Sequence, residues 1–236
     1  MRTLVILLFL TSILSHTQLL AKENESLDAV LNQIQEKYEK IEDFSSKFTQ
    51  EATVKALNKV QRAQGEVWFK KPGKMRWNYS RPTKDEIVSD GTTIWFYNEE
   101  EQQVIESPLS EVIDTPTTTT LISGLGNLKN LFDANFSKDN PANENNTYFI
   151  DLVPKENTEE YNSVTIAVDK HSMLVNTIYL YDPFGNLTTV KLNDMQINKG
   201  TPDSLFIFKA PKGAEITKVP PSGGQLNSTN RGRNSE

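Results

Sequence analysis

The 236-residue chain contains no cysteine. That absence excludes disulfides, thiol catalysis and thiolate metal sites, and it rules out acylation of an N-terminal cysteine. Histidine is almost as scarce, with only His16 and His171. His171 falls in an expected turn, without the nucleophile and cleft that a catalytic histidine needs. The sequence has no HExxH, EF-hand, Walker or GxSxG pattern. Adjacent carboxylates such as Asp85/Glu86 and Glu159/Glu160 would point to opposite sides of a strand, the wrong geometry for a shared substrate. The chain is therefore read as non-enzymatic, with no cofactor and no metal. Basic charge is also short: Lys and Arg number 25 against 31 Asp and Glu, a net charge of -6. A nucleic-acid partner would call for the reverse balance.

Long apolar runs are missing apart from one near the N-terminus. Arg2, the apolar residues 4–14 and Leu19-Leu20-Ala21 form the three parts of a secretory signal, with cleavage expected after Ala21. The run is too short to span a bilayer. Residues 1–21 are thus expected to be a signal peptide and residues 22–218 a single exported domain. Residues 219–236 (VPPSGGQLNSTNRGRNSE) are expected to form a disordered tail, too polar to pack.

Aromatic residues concentrate in residues 65–98, GEVWFKKPGKMRWNYSRPTKDEIVSDGTTIWFYN, which hold all three tryptophans. Runs rich in aromatic and β-branched residues are separated by Pro72-Gly73, Arg81-Pro82 and Asp90-Gly91, the pattern of antiparallel strands joined by tight turns. Met75, Trp77 and Tyr79 alternate with Lys74, Arg76 and Asn78, so this strand has one apolar face.

Upstream, Leu27, Val30, Leu31, Ile34, Tyr38 and Ile41 fall at helical spacing after a Ser26 N-cap. Their stripe can be ordinary core packing, or a lid whose apolar face is exchanged for a ligand. A strand is expected over residues 44–54, with Phe44 and Phe48 on one face, then a polar connection over 55–64. Leu109, Val112 and Ile113 suggest a short helix. Leu121, Ile122, Leu125, Leu128, Leu131 and Phe132 suggest another, interrupted by Gly124 and Gly126. Strands are expected again at 148–153, 161–168, 174–181 and 187–192, with a meander's spacing. Phe206, Phe208 and Ala210-Pro211-Lys212-Gly213 close the domain.

The order of these motifs carries more than their composition. Phe44-x-x-x-Phe48-Thr49-Gln50, then GxVWFKKPGKMRWxY, a proline and IVSDGTTIWFYN together resemble the LolA family of outer-membrane lipoprotein carriers. The resemblance is strongest over residues 44–98 and extends in layout to about residue 216. It implies a mainly β fold with helices (α+β), an incomplete antiparallel β-barrel covered by lid helices around a hydrophobic cavity. Cavity and lid residues would be Leu27, Val30, Leu31, Ile34, Phe48, Phe69, Met75, Trp77, Ile94, Phe96, Ile122 and Leu125. It further implies that Arg76, the arginine of the Arg-Trp pair, bonds the lid and holds the empty form closed. Alternation places Arg76 opposite Trp77, so either the strand's apolar side is the outer one or a bulge re-aims the arginine. The implied function is a monomeric periplasmic carrier. Its cargo would be acylated lipoproteins, received from an inner-membrane ABC transporter and delivered to an outer-membrane receptor. A carrier of another amphiphile, such as a glycolipid or lipid-linked polymer, is the alternative on the same fold.

Overall fold

A computed structural model describes residues 25–113, 128–138, 146–155 and 161–219. Among these, twelve strands form one sheet. The first six are β1 (Asp43–Val54), β2 (Lys59–Lys70), β3 (Lys74–Arg81), β4 (Glu86–Asp90), β5 (Thr93–Asn98) and β6 (Gln103–Pro108). The others are β7 (Phe132–Phe136), β8 (Thr147–Pro154), β9 (Ser163–Asp169), β10 (Val175–Tyr181), β11 (Leu187–Ile197) and β12 (Glu215–Lys218). Spatial order runs β12-β6-β5-β4-β3-β2-β1-β11-β10-β9-β8-β7. Two meanders therefore meet where β1 pairs with β11, and β12 and β7 remain as the two edges of an unclosed half-barrel. Every pairing is antiparallel except β12 with β6. The α-helices among the described residues are α1 (Leu27–Glu39), α2 (Ser110–Ile113) and α3 (Leu128–Leu131).

The sequence pattern accounts for most of these elements, and four details differ. Residues 55–64 are not a loose connection: a 3-10 turn at Lys55–Leu57 leads directly into β2, which pairs with β1 along its whole length. Phe132 opens β7 and does not continue a helix, because its strand is completed by β8. β11 runs five residues past the expected Leu192 to Ile197, following β1. Residues 215–218 form β12, whose partners lie more than a hundred residues upstream and leave no local trace.

Cross-strand register assembles the core. Phe44 faces Phe69, which faces Met75, which faces Ser89, and Ser89 faces Ile94. On the other side Phe48 faces Leu192, Val190 faces Ile178, Ile178 faces Ile166, and Ile166 faces Ile150. This inner face and the apolar stripe of α1 form one buried cluster. The inner side of the half-barrel is thus lined throughout by buried, mostly apolar side chains.

Candidate functional site

Around Trp77 the aromatic residues interlock. Phe48 meets Trp77 edge-on at 4.8 Å and Tyr79 at 5.0 Å between ring centroids, and Phe69 meets Trp77 edge-on at 6.4 Å. Space for the Phe48 ring comes from Gly65, where a Cβ would lie 2.9 Å from that ring and 2.0 Å from the Asn78 carbonyl oxygen. Burial pushes the Tyr79 hydroxyl up to about 12, with Asp85 adding to the shift. Trp77 Nε1 is buried without a hydrogen-bond partner, an available donor inside an otherwise apolar wall.

Helix α1 lies over this wall. Ser26 caps it by accepting from the Ala29 N–H at 3.2 Å, and Val30, Leu31 and Ile34 are buried beneath it. Its described polar attachments lie mainly toward its two ends. At the C-terminal end, Lys71 Nζ donates to the carbonyls of Tyr38 at 3.0 Å and Glu39 at 2.7 Å. A cation there also complements the negative end of the helix. The Val175 N–H donates to the Tyr38 hydroxyl, and Asn198 Nδ2 donates to the Lys40 carbonyl, both at 3.1 Å. Burial pushes the Tyr38 hydroxyl up to about 12. At the N-terminal end, Lys129 of α3 reaches Asp28 and Asn32, and the Tyr148 hydroxyl donates to Glu25 at 2.6 Å.

The structure brings together Val30, Leu31, Ile34, Phe48, Phe69, Met75, Trp77 and Ile94 as buried members of one cluster, with Leu27 and Phe96 packed against it. Ile122 and Leu125 lie outside the described residues. The described contacts of Arg76, expected to bond the lid, lie on the other side of the sheet. With Met75 and Trp77 facing inward, alternation puts Arg76 on the outer face, and no bulge re-aims it. There its guanidinium holds Glu86 at 2.6 Å, Asn78 Oδ1 at 2.7 Å and the Leu205 carbonyl at 3.1 Å. Two described cations bond the covering helix: Lys129 near its N-terminus and, at its C-terminus, Lys71, immediately before the Pro-Gly turn. Sequence reasoning could have found Lys71 from position alone: the β2–β3 turn lies at the end of the sheet where β1 begins, beside the C-terminus of α1.

Arg76 instead fastens a second layer. The 3-10 turn Asp203–Phe206 lies against the outer side of β3 and β4. Phe206, Val88, Val104 and Tyr97 are buried there, and Phe208 stacks on Trp95 at 5.6 Å. Asp203 pairs with Lys70 at 2.6 Å and Lys74 at 3.0 Å. The inner face of these strands thus stays available to α1, while the C-terminal segment covers the outer one.

A family model described as "Outer membrane lipoprotein carrier protein LolA" matches residues 39–209. The chain belongs to the LolA family. It is 26% identical over 182 residues to an outer-membrane lipoprotein carrier protein of Alkalilimnicola ehrlichii, spanning 77% of this chain and 80% of that one. It is 29% identical over 169 residues to the protein of the same name from Nitrosospira multiformis, spanning 72% and 79%. The crystal structure of an uncharacterized conserved protein from Thermus thermophilus shares the fold. It covers 83% of this chain and 100% of that one, with a TM-score of 0.53 at 10% identity. The LolA family match spans the aromatic wall, Lys71 and the outer clasp, but begins at the last residue of α1.

Proposed function

We propose that this protein is a periplasmic lipoprotein carrier that shelters the acyl chains of its cargo between the aromatic wall and α1. In this reading it accepts lipoproteins from an inner-membrane ABC transporter and passes them to an outer-membrane receptor. The observation that carries it is the contrast within the α1 attachment. The contacts over the wall are apolar and non-directional, whereas the described directional ones are polar bonds gathered mainly toward the helix ends. An acyl chain can replace the Val30, Leu31 and Ile34 stripe with little change in what the wall touches.

The energetics fit such an exchange. Acyl chains brought into water lose about 0.8 kcal/mol for each exposed CH₂, so transit through an aqueous compartment needs an apolar host. Unloading needs the reverse, and the helix stripe competes for the same wall, displacing cargo as it closes. Relatives named as outer-membrane lipoprotein carrier proteins support this cargo. The test is purification from cells followed by mass spectrometry of whatever travels with the protein. Proteins with acylated N-termini are expected; free glycolipid alone, or nothing bound, would contradict the reading.

A further inference from the structure

We propose that the paired hairpin tips formed by Leu57 and Phe184, with the lysines beside them, are a contact site for an anionic lipid bilayer. This goes beyond cargo binding: it names where the protein itself touches a membrane, and it holds whether or not a lipoprotein is loaded.

The β1–β2 and β10–β11 hairpins lie side by side at the end of the sheet farthest from Lys71. β1 and β2 remain paired out to Val54 and Lys59, but β3 leaves β2 at the Gln64–Arg81 pair. The β1–β2 hairpin therefore projects five residues past its inner neighbour, about 17 Å at strand rise. On its other side β11 begins at Leu187, opposite Thr53, so the β10–β11 turn travels with it. The two tips are tied: the Lys55 N–H donates to Asn186 Oδ1 at 2.9 Å, and the Lys55 side chain passes beside Gly185.

Each tip presents a large apolar residue to solvent, Leu57 at 71% exposure and Phe184 at 85%. Neither is a floppy accident of a polar loop. The Asp182 carboxylate accepts from the N–H groups of Phe184 at 2.9 Å and Asn186 at 2.8 Å, and from Asn186 Nδ2 at 2.7 Å, so the turn carrying Phe184 is internally braced. The Leu57 turn closes on Asn58, which holds φ 47, with its N–H bonded to the Lys55 carbonyl at 3.2 Å.

Charge selects the partner. Lys55 and Lys59 flank the tip, with Lys191 behind them on the outer face, although the whole chain is acidic at -6. The nearby carboxylates are engaged: Glu51 is held by Arg62 at 2.7 Å, and Asp182 is folded into its own turn. The acidic turn at residues 99–101 lies at the level of Gln64 and Ala63, set back from the tip. Two projecting apolar points on a basic collar form a convex shape. A concave protein partner would have to envelop it, whereas a headgroup layer accepts it with the Leu57 side chain and the Phe184 ring inserted and the lysines at phosphate depth.

The test is flotation of the purified protein, without cargo, with vesicles of phosphatidylcholine alone or of equimolar phosphatidylcholine and phosphatidylglycerol. Binding to the anionic vesicles is expected, weakening with added salt. Leu57→Ser with Phe184→Ser, and separately Lys55→Glu with Lys59→Glu, should each lower the partition coefficient by about tenfold or more. These exposed positions leave the melting temperature unchanged, which separates loss of binding from loss of fold. No flotation with anionic vesicles, or equal flotation of wild type and both variants, would overturn the proposal. So would retention by a purified protein partner through these tips with no lipid bound.

Discussion

Lys71 Nζ lies 2.7 Å from the Glu39 carbonyl oxygen and fastens the β2–β3 turn to the last turn of α1. This bond, with its companion to the Tyr38 carbonyl, joins the sheet to the helix that covers it. A neutral apolar side chain at position 71 removes both bonds and the favourable interaction with the helix terminus. Lys71→Met is therefore expected to favour release of α1 by about 1 kcal/mol, shifting a closed-to-open equilibrium roughly fivefold. Binding of an apolar fluorescent dye to the empty protein should rise accordingly. Dye binding equal to wild type would show that the apolar stripe alone holds the helix.

Arg76→Leu should behave differently, because Arg76 serves the outer layer. The variant strands Glu86 and removes the bond to the Leu205 carbonyl on a half-buried face. Urea unfolding should report a loss of about 2–3 kcal/mol, with dye binding to the folded protein close to wild type. An increase in dye binding before any loss of stability would instead connect Arg76 to the cover of the wall.

Gly65→Ala probes the packing of the wall. The added Cβ would meet the Asn78 carbonyl oxygen at 2.0 Å, a backbone atom that cannot move without disturbing the β2–β3 pairing. A loss of about 2–4 kcal/mol in chemical denaturation is expected, with altered fluorescence from Trp77. Unchanged stability would mean that β3 shifts freely against β2.

Acid should loosen the join between the two meanders. Burial alone would raise the Asp43 carboxyl. Hydrogen bonds from the Thr201 hydroxyl and from the N–H groups of Gly200 and Lys199 outweigh it and hold the group below its ordinary value of 3.8. A carboxyl depressed in the folded state contributes its full stability above its unfolded pKa and loses it as pH falls through the folded one. Urea midpoints should therefore drop as pH falls below about 4. Asp43→Asn should be less stable at neutral pH and show a shallower acid dependence. A parallel acid slope in the variant would remove Asp43 from the account.

How much of this was legible in the sequence depends on how local each feature is. The aromatic strands β2 to β5 could be read from alternation and turn residues, because two-residue periodicity and Asp90-Gly91 act within a few positions. Gly91 indeed takes φ 100. The α1 stripe was legible for the same reason. β12 and the long β11 were not, since each owes its strand to a partner far away in sequence. Arg76 shows a subtler limit. Alternation already assigned it to the face opposite Trp77, and the motif's familiarity argued for the other face; the local rule was correct. Lys71 lacked a signal of its own type, since a lysine before Pro-Gly reads as a turn residue until a helix terminus is placed beside it.

If acyl chains replace α1 on the aromatic wall, amide hydrogen exchange across Leu27–Glu39 will report the displacement. The protein would be compared alone, with a triacylated lipoprotein, and with the same lipoprotein lacking its acyl chains. Faster exchange in α1 is expected only with the acylated form, with protection retained in β2 and β3. Exchange in α1 that stays slow while acylated cargo is bound would contradict it.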